Sequence, residues 1–153
     1  MEAIYFDMDG TLANLYAVED WLPKLRNYDA SPYAEAVPML NLSILARYLN
    51  KLQKHGIHIG IISWLSKEPT PEYDTAVREA KLCWLLKHMK SVSWDEIHIA
   101  SHGIPKADLA EYAENGILFD DEPANRTAWT GTAYDEKNIL SVLKEMLDKI
   151  NKA

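Results

Sequence analysis

Cysteine occurs once in the 153-residue chain, at Cys83, so no intrachain disulfide can form. That suits a reducing compartment. Cys83 lies in AVREAKLCWLLKHM, a stretch that reads as helix. A catalytic thiol needs a nearby base and partial exposure, so a small buried residue is the expected role. Long hydrophobic runs are also missing. None approaches the roughly 20 residues that span a membrane. The N-terminus opens directly on a strand pattern, without the charged and apolar regions of a secretory leader, and a cytoplasmic protein is expected. Nor is there an excess of positive charge. Sixteen Lys and Arg face 23 Asp and Glu, for a net charge of -7 and a pI near 5.2. Sequence-independent binding to nucleic acid or anionic membrane needs a basic surface, so both are disfavoured. A local basic pocket for one phosphate is still allowed. Internal repeats, low-complexity tracts and linkers are absent. With 48% hydrophobic residues, the chain is expected to form one domain over 1–153 with its own core.

What the chain does contain is an alternation of strand and helix patterns. Residues 3–7 (AIYFD) form a short apolar strand. Leu42, Leu45, Leu49 and Leu52 recur at helical spacing within 39–55, and Gly56 ends that helix. Residues 57–63 (IHIGIIS) are β-branched and apolar, a buried strand. Thr70 followed by Pro71 caps a second helix over 71–90. A strand over 96–101 (EIHIAS) and a short helix over 106–115 follow. Then come a strand over 117–120 (ILFD) and a closing amphipathic helix over 136–151. Strands separated by helices imply right-handed crossovers and a mostly parallel sheet covered on both faces, a three-layer Rossmann-like α/β fold. Four strands can be placed; a fifth is expected near residues 130–134. Residues 13–38 break the alternation. They hold Tyr16, Trp21, Tyr28, Tyr33 and three prolines, and they are too long for a plain connection. They are read as a small lid with one short helix near 18–26.

In a parallel sheet, ligands bind at the carboxyl ends of the strands. Asp7, Ser63, Ser101 and Asp120 all fall there. In chain order stand Asp7-Met8-Asp9-Gly10-Thr11, Ser63, Lys106 and Asp120-Asp121, with Asn125 beyond. This ordered set resembles the haloacid dehalogenase superfamily of phosphohydrolases over nearly the whole chain. Within it, the chain is similar to small bacterial and phage proteins grouped with 5'(3')-deoxyribonucleotidases. The resemblance implies strand order 5-4-1-2-3 and hydrolysis of a phosphate monoester through an aspartyl-phosphate. Asp7 would be the nucleophile and Asp9 the general acid and base. Ser63, Lys106 and the backbone amides of Met8 and Asp9 would hold the phosphate. Magnesium would be bound by Asp7, the Asp9 carbonyl and an aspartate of the Asp120-Asp121 pair, with Asp121 acting directly, through a water or from behind the direct ligands. Asp120 is favoured as the direct ligand, with Asn125 orienting Asp121.

The residues themselves support this chemistry. Two carboxylates facing a phosphate need a cation between them, and magnesium prefers hard oxygen ligands. Alternation along a strand points Asp7 and Asp9 the same way across Met8. Gly10 permits a tight turn where backbone approaches phosphate. Lys106 at a helix start adds a favourable dipole, and Lys67 competes with it for the phosphate. Trp21 and Trp64 are candidate stacking partners for a base, and His102 lies close enough to the strand ends to touch substrate. Arg126 is expected in a surface salt bridge. A zinc site through His98 and His102 would need more ligands. The expected substrate is a small phosphorylated molecule, a nucleoside monophosphate. The alternatives are a phosphatase of larger substrates such as nucleic-acid termini, which the net charge opposes, and a non-catalytic phosphoryl-binding protein, which Asp9 opposes. Dehalogenation needs neither Asp9 nor the acidic pair.

Overall fold

The structure, a computed structural model, describes residues 2–68 and 70–152. Five strands form one sheet: β1 (Ala3–Phe6), β2 (His58–Trp64), β3 (Glu96–Ala100), β4 (Gly116–Phe119) and β5 (Thr132–Tyr134). All neighbours pair in parallel, in the order β3-β2-β1-β4-β5. This is the strand order the resemblance implied, and the fifth strand lies within the range read for it. β1 is central and wholly buried, as its unbroken apolar sequence requires. Phe6 lies opposite Phe119 of β4, so these two strands end side by side, and opposite Ile61 of β2, which runs three residues further to Trp64.

The helices are α1 (Trp21–Arg26), α2 (Ser31–Glu35), α3 (Leu42–Lys54), α4 (Pro71–His88), α5 (Lys106–Leu109), α6 (Pro123–Ala128) and α7 (Ile139–Lys152). The side chains of β1 alternate. Ile4 and Phe6 join Leu45, Leu49 and Leu52 of α3 and Leu143 and Leu147 of α7 in the main core. Ala3 and Tyr5 enter a smaller core on the other face with Ala113, Leu118 and Trp129. Thr70 caps α4 as its position promised, accepting a hydrogen bond from the Tyr73 amide at 3.1 Å.

Three expectations need correction. Cys83 is exposed rather than buried. The inward stripe of α4 runs Val77, Lys81, Trp84 and Leu85, and Cys83 falls between its rows. Second, the helix over 106–115 breaks after one turn, at Ala110, and a 3-10 turn follows at Ala113–Asn115. The amides of Glu111 and Tyr112 leave the helix to donate to Glu96 Oε1 and the Tyr5 hydroxyl, both at 3.1 Å. Third, residues 13–38 hold a 3-10 turn (Leu15–Ala17) and two helices, α1 and α2, not one. Pro32 sits in the first turn of α2, where its missing amide costs nothing. This cap docks on α4, where Leu15 and Tyr33 meet Tyr73 and Val77.

The amino-terminal end of the sheet carries a polar hub that the sequence did not announce. Glu96 Oε2 accepts from the Tyr5 hydroxyl at 2.6 Å and pairs with His58 Nε2 at 2.6 Å. Its Oε1 pairs with His98 Nε2 at 2.8 Å and accepts the Glu111 amide. Burial pushes the Glu96 carboxyl up, but these hydrogen bonds outweigh it and hold the group below its ordinary value. Glu111 also comes within ligating distance of His58 and Glu96. Both Glu96 oxygens already have partners, which makes the hub a structural tie.

Among the described residues no helix is long and apolar enough to cross a membrane. Leu49 is fully buried at the centre of the main core. Leu49→Ala should therefore cost about 2–5 kcal/mol in a denaturant titration. A loss below about 1 kcal/mol would show that α3 is not held by this cluster.

Candidate active site

The chain turns sharply after β1. The Met8 carbonyl accepts the amides of Thr11, Leu12 and Ala13 at 3.1, 2.9 and 2.9 Å. Gly10 takes φ +79°, a backbone region that side-chain-bearing residues avoid. A Cβ there would also meet the Asp121 carboxylate, and the Tyr16 ring at 2.8 Å. The turn brings Asp7 and Asp9 to one edge. The Asp7 amide donates to the Phe119 carbonyl at 2.9 Å, and the Asp120 amide to the Tyr134 carbonyl at 3.1 Å. The ends of β4 and β5 thereby hold the acidic pair beside β1.

Asp7, Asp120 and Asp121 each offer a carboxylate oxygen, all within 4.8 Å of one another. Lys106 Nζ bridges Asp7 Oδ1 at 2.9 Å and Asp120 Oδ2 at 2.7 Å. Burial opposes its charge, but Asp7 and Asp120 outweigh burial and hold the Lys106 pKa above its ordinary value. Lys67 is exposed and makes no such contact, so of these two lysines Lys106 is the one the fold brings to Asp7 and Asp120. The single turn of α5 gives little dipole, and direct ion pairing places this lysine. Asp120 is locked on both oxygens. Its Oδ1 accepts the Glu122 amide at 2.9 Å and its Oδ2 the Asn125 amide group at 3.1 Å. Asn125 thus orients Asp120, not Asp121. The Arg126 guanidinium donates to the Asp120 carbonyl at 3.0 Å, not to a surface carboxylate. The Thr11 hydroxyl stands 3.2 Å from both Asp7 Oδ2 and Asp121 Oδ1, with one hydrogen to share, and accepts the Asp121 amide.

Burial and the Asp7 charge push the Asp120 carboxyl up to about 6 and the Asp121 carboxyl up to about 8. Burial also raises Asp9, against the opposing Lys81 charge. Around these groups, four aspartates face two lysines, Lys81 and Lys106. The deficit when all four ionise is two positive charges, which one divalent cation supplies. An all-oxygen donor set of this kind fits magnesium.

Several residues stand apart from this centre or were missed. Lys81 projects from α4 and is 1% exposed; its Nζ donates to Asp9 Oδ2 at 2.9 Å and Ser63 Oγ at 2.7 Å. Its signal was a lysine on the apolar stripe of a helix. Trp64 lies at the site's edge. Its indole N–H donates to the Ile104 carbonyl at 2.8 Å, and its ring meets Lys106 Nζ at 5.4 Å and the His102 ring at 4.8 Å. His102 is exposed and held below its ordinary pKa by partial burial and then by Lys67. Trp21 packs edge-on against Tyr16 at 5.0 Å. Tyr16, rather than Trp21, borders the carboxylates; partial burial of its hydroxyl, and then the Asp121 charge, raise its pKa.

No family model matches the sequence, and no curated protein does either. Solved structures do. One is D,D-heptose 1,7-bisphosphate phosphatase from Burkholderia thailandensis, with TM-score 0.61 and 12% identity over 96% of this chain and 99% of that one. Another is a chain of the Pnkp1/Rnl/Hen1 complex, with TM-score 0.54 and 18% identity over 88% of this chain and 44% of that one. Taken with the strand order, these superpositions give the chain the haloacid dehalogenase-like fold.

Raised carboxyl pKa values bind protons more tightly in the folded chain than in the unfolded one. Their contribution to metal-free stability is therefore full at low pH and is lost as pH rises through about 6 and about 8. A divalent cation competes with those same protons. The gain in Tm from millimolar magnesium should be small at pH 5 and clearly larger at pH 8. Gly10→Ala, which crowds Asp121, should abolish most of that gain. A gain independent of pH would remove Asp120 and Asp121 as ligands.

Proposed function

We propose that the protein is a magnesium-dependent phosphomonoesterase working through an aspartyl-phosphate, with a nucleoside monophosphate as the expected substrate. The observation that carries this reading is the placement of Asp7 beside Asp9, Lys106, Asp120 and Asp121 at the carboxyl end of the central strand. A divalent cation held by Asp7, Asp120 and Asp121 would screen the charge of the incoming phosphate. An oxygen of Asp7 attacks phosphorus, forming the acyl phosphate as the ester P–O bond breaks. Asp9 gives its proton to the leaving oxygen; its raised pKa suits a group that keeps one to give. It then takes a proton from the water that attacks the acyl phosphate, which releases phosphate and restores Asp7. Lys106 holds Asp7 in place, and Ser63 and the amides of Met8 and Asp9 cradle the phosphate oxygens.

Stacking on Trp64 has less room than its position promised, because its N–H and ring already have partners. Recognition of a base then falls to Tyr16 and Trp21. A second reading, the phosphorylated end of a larger molecule, draws on the cap, whose Tyr16, Leu22 and Tyr28 stay exposed.

A panel of phosphate esters assayed for released phosphate tests the reading. Turnover should stop with chelator and return with magnesium. Asp7→Asn should fall by at least about a thousandfold while Tm is kept. Activity within about tenfold of wild type would falsify Asp7 as the nucleophile. Trp21→Ala should raise KM for a nucleoside monophosphate while leaving p-nitrophenyl phosphate unaffected; equal effects on both esters would remove the nucleotide assignment.

A further inference from the structure

Lys81 takes no part in the reaction as written, yet it is among the most buried polar side chains of the protein. An ammonium carries three hydrogens and no lone pair. All three have acceptors: Asp9 Oδ2 at 2.9 Å, Ser63 Oγ at 2.7 Å and the Trp64 carbonyl at 2.7 Å. The Tyr33 ring of the cap covers the charge at 5.0 Å. Lys81 therefore has no hydrogen left for a substrate.

The consequence falls on Ser63. Its hydroxyl accepts from Lys81, and among the described residues no hydrogen bond is seen in which it donates. That hydrogen of a fully buried hydroxyl is left available to an oxygen of a ligand. Phe6 lies opposite Ile61, so Ser63 stands level with the turn at Met8 and Asp9 on the adjacent strand. Asp9 is fixed in the same way. With Oδ2 tied to Lys81, Oδ1 is the oxygen left to face a leaving group.

We infer that Lys81 is a positioning residue. It fixes Ser63 as a hydrogen-bond donor to phosphate and holds Asp9 with one oxygen free for proton transfer. The inference rests on the phosphatase reading above. It places the signature of Lys81 in proton delivery to the leaving group. A purely structural tie between α4 and the sheet would lower stability and treat all substrates alike.

The experiment compares p-nitrophenyl phosphate, whose leaving group departs without a proton, with an alkyl phosphate, whose leaving group needs one. Lys81→Met keeps the stem and removes the hydrogens. Its kcat for the alkyl ester should fall at least about tenfold further than its kcat for the aryl ester. Ser63→Ala should raise KM for both esters in the wild-type background and change it by less than about threefold in the Lys81→Met background. Should the methionine variant not fold, Lys81→Arg carries the same test. It keeps the charge, but its planar fork cannot meet three acceptors arranged around one tetrahedral nitrogen. The same selective loss on the alkyl ester is expected with Tm retained. Equal losses on both esters, or a full Ser63→Ala effect without Lys81, overturn the inference alone, provided the wild type is active and Asp7→Asn is silent. A wild type inert towards every ester with magnesium overturns the phosphatase reading and this inference with it.

Discussion

The structure is organised around the cost of placing four carboxylates where parallel strands end. Asp7 and Asp9 follow the central strand, and Asp120 and Asp121 follow its neighbour. Buried like charges raise one another's energy sharply, because little water is present to screen them. Each nearby feature lowers that cost. Lys106 bridges the two strands, Thr11 shares its hydrogen between Asp7 and Asp121, and Asn125 holds Asp120. Lys81 answers Asp9 from a separate helix. With all four ionised, two negative charges would remain uncompensated, and the donor set fits one divalent cation.

Much of this was legible in the sequence because it depends on local pattern. The unbroken apolar strands implied the parallel sheet, and their carboxyl ends pointed to Asp7, Ser63 and Asp120. The leucine spacing gave α3, and Thr70-Pro71 gave the start of α4. What could not be read depends on distant partners. The helix after Lys106 is locally sound, but its amides find better acceptors in Glu96 and Tyr5. Asn125 sits one helical turn past Asp121 in sequence, yet its side chain donates to Asp120. Cys83 looked like a core residue because its neighbours are apolar, yet the helix phase turns it outward. Lys81 was passed over for the opposite reason. Periodicity marks a lysine on an apolar stripe, but it does not say which carboxylate lies opposite.

The two ends of the sheet balance their polar groups differently. At the amino-terminal end, Glu96 is an acceptor whose oxygens are all met by Tyr5, His58, His98 and the Glu111 amide. A closed network of this kind rigidifies and needs no ligand. At the carboxyl end, the carboxylates outnumber their partners. The cap meets the second network through Tyr33, above Lys81 at 5.0 Å, and through Tyr16, beside Gly10 and Asp121.

The partners that close the site are far apart along the chain: 72 residues separate Lys81 from Asp9, 99 separate Lys106 from Asp7, and 110 separate Asp121 from Thr11. Contacts of such long range carry the largest loop-closure cost and are expected to form late in folding. Until then the four carboxylates do not meet, and a partly folded chain neither suffers their repulsion nor offers a cation pocket. Repulsion of this kind burdens the native state more than the folding barrier. A bound cation should accordingly act as a latch that slows unfolding and leaves the folding rate nearly unchanged. A chevron in which magnesium moved chiefly the folding limb would contradict that order of assembly.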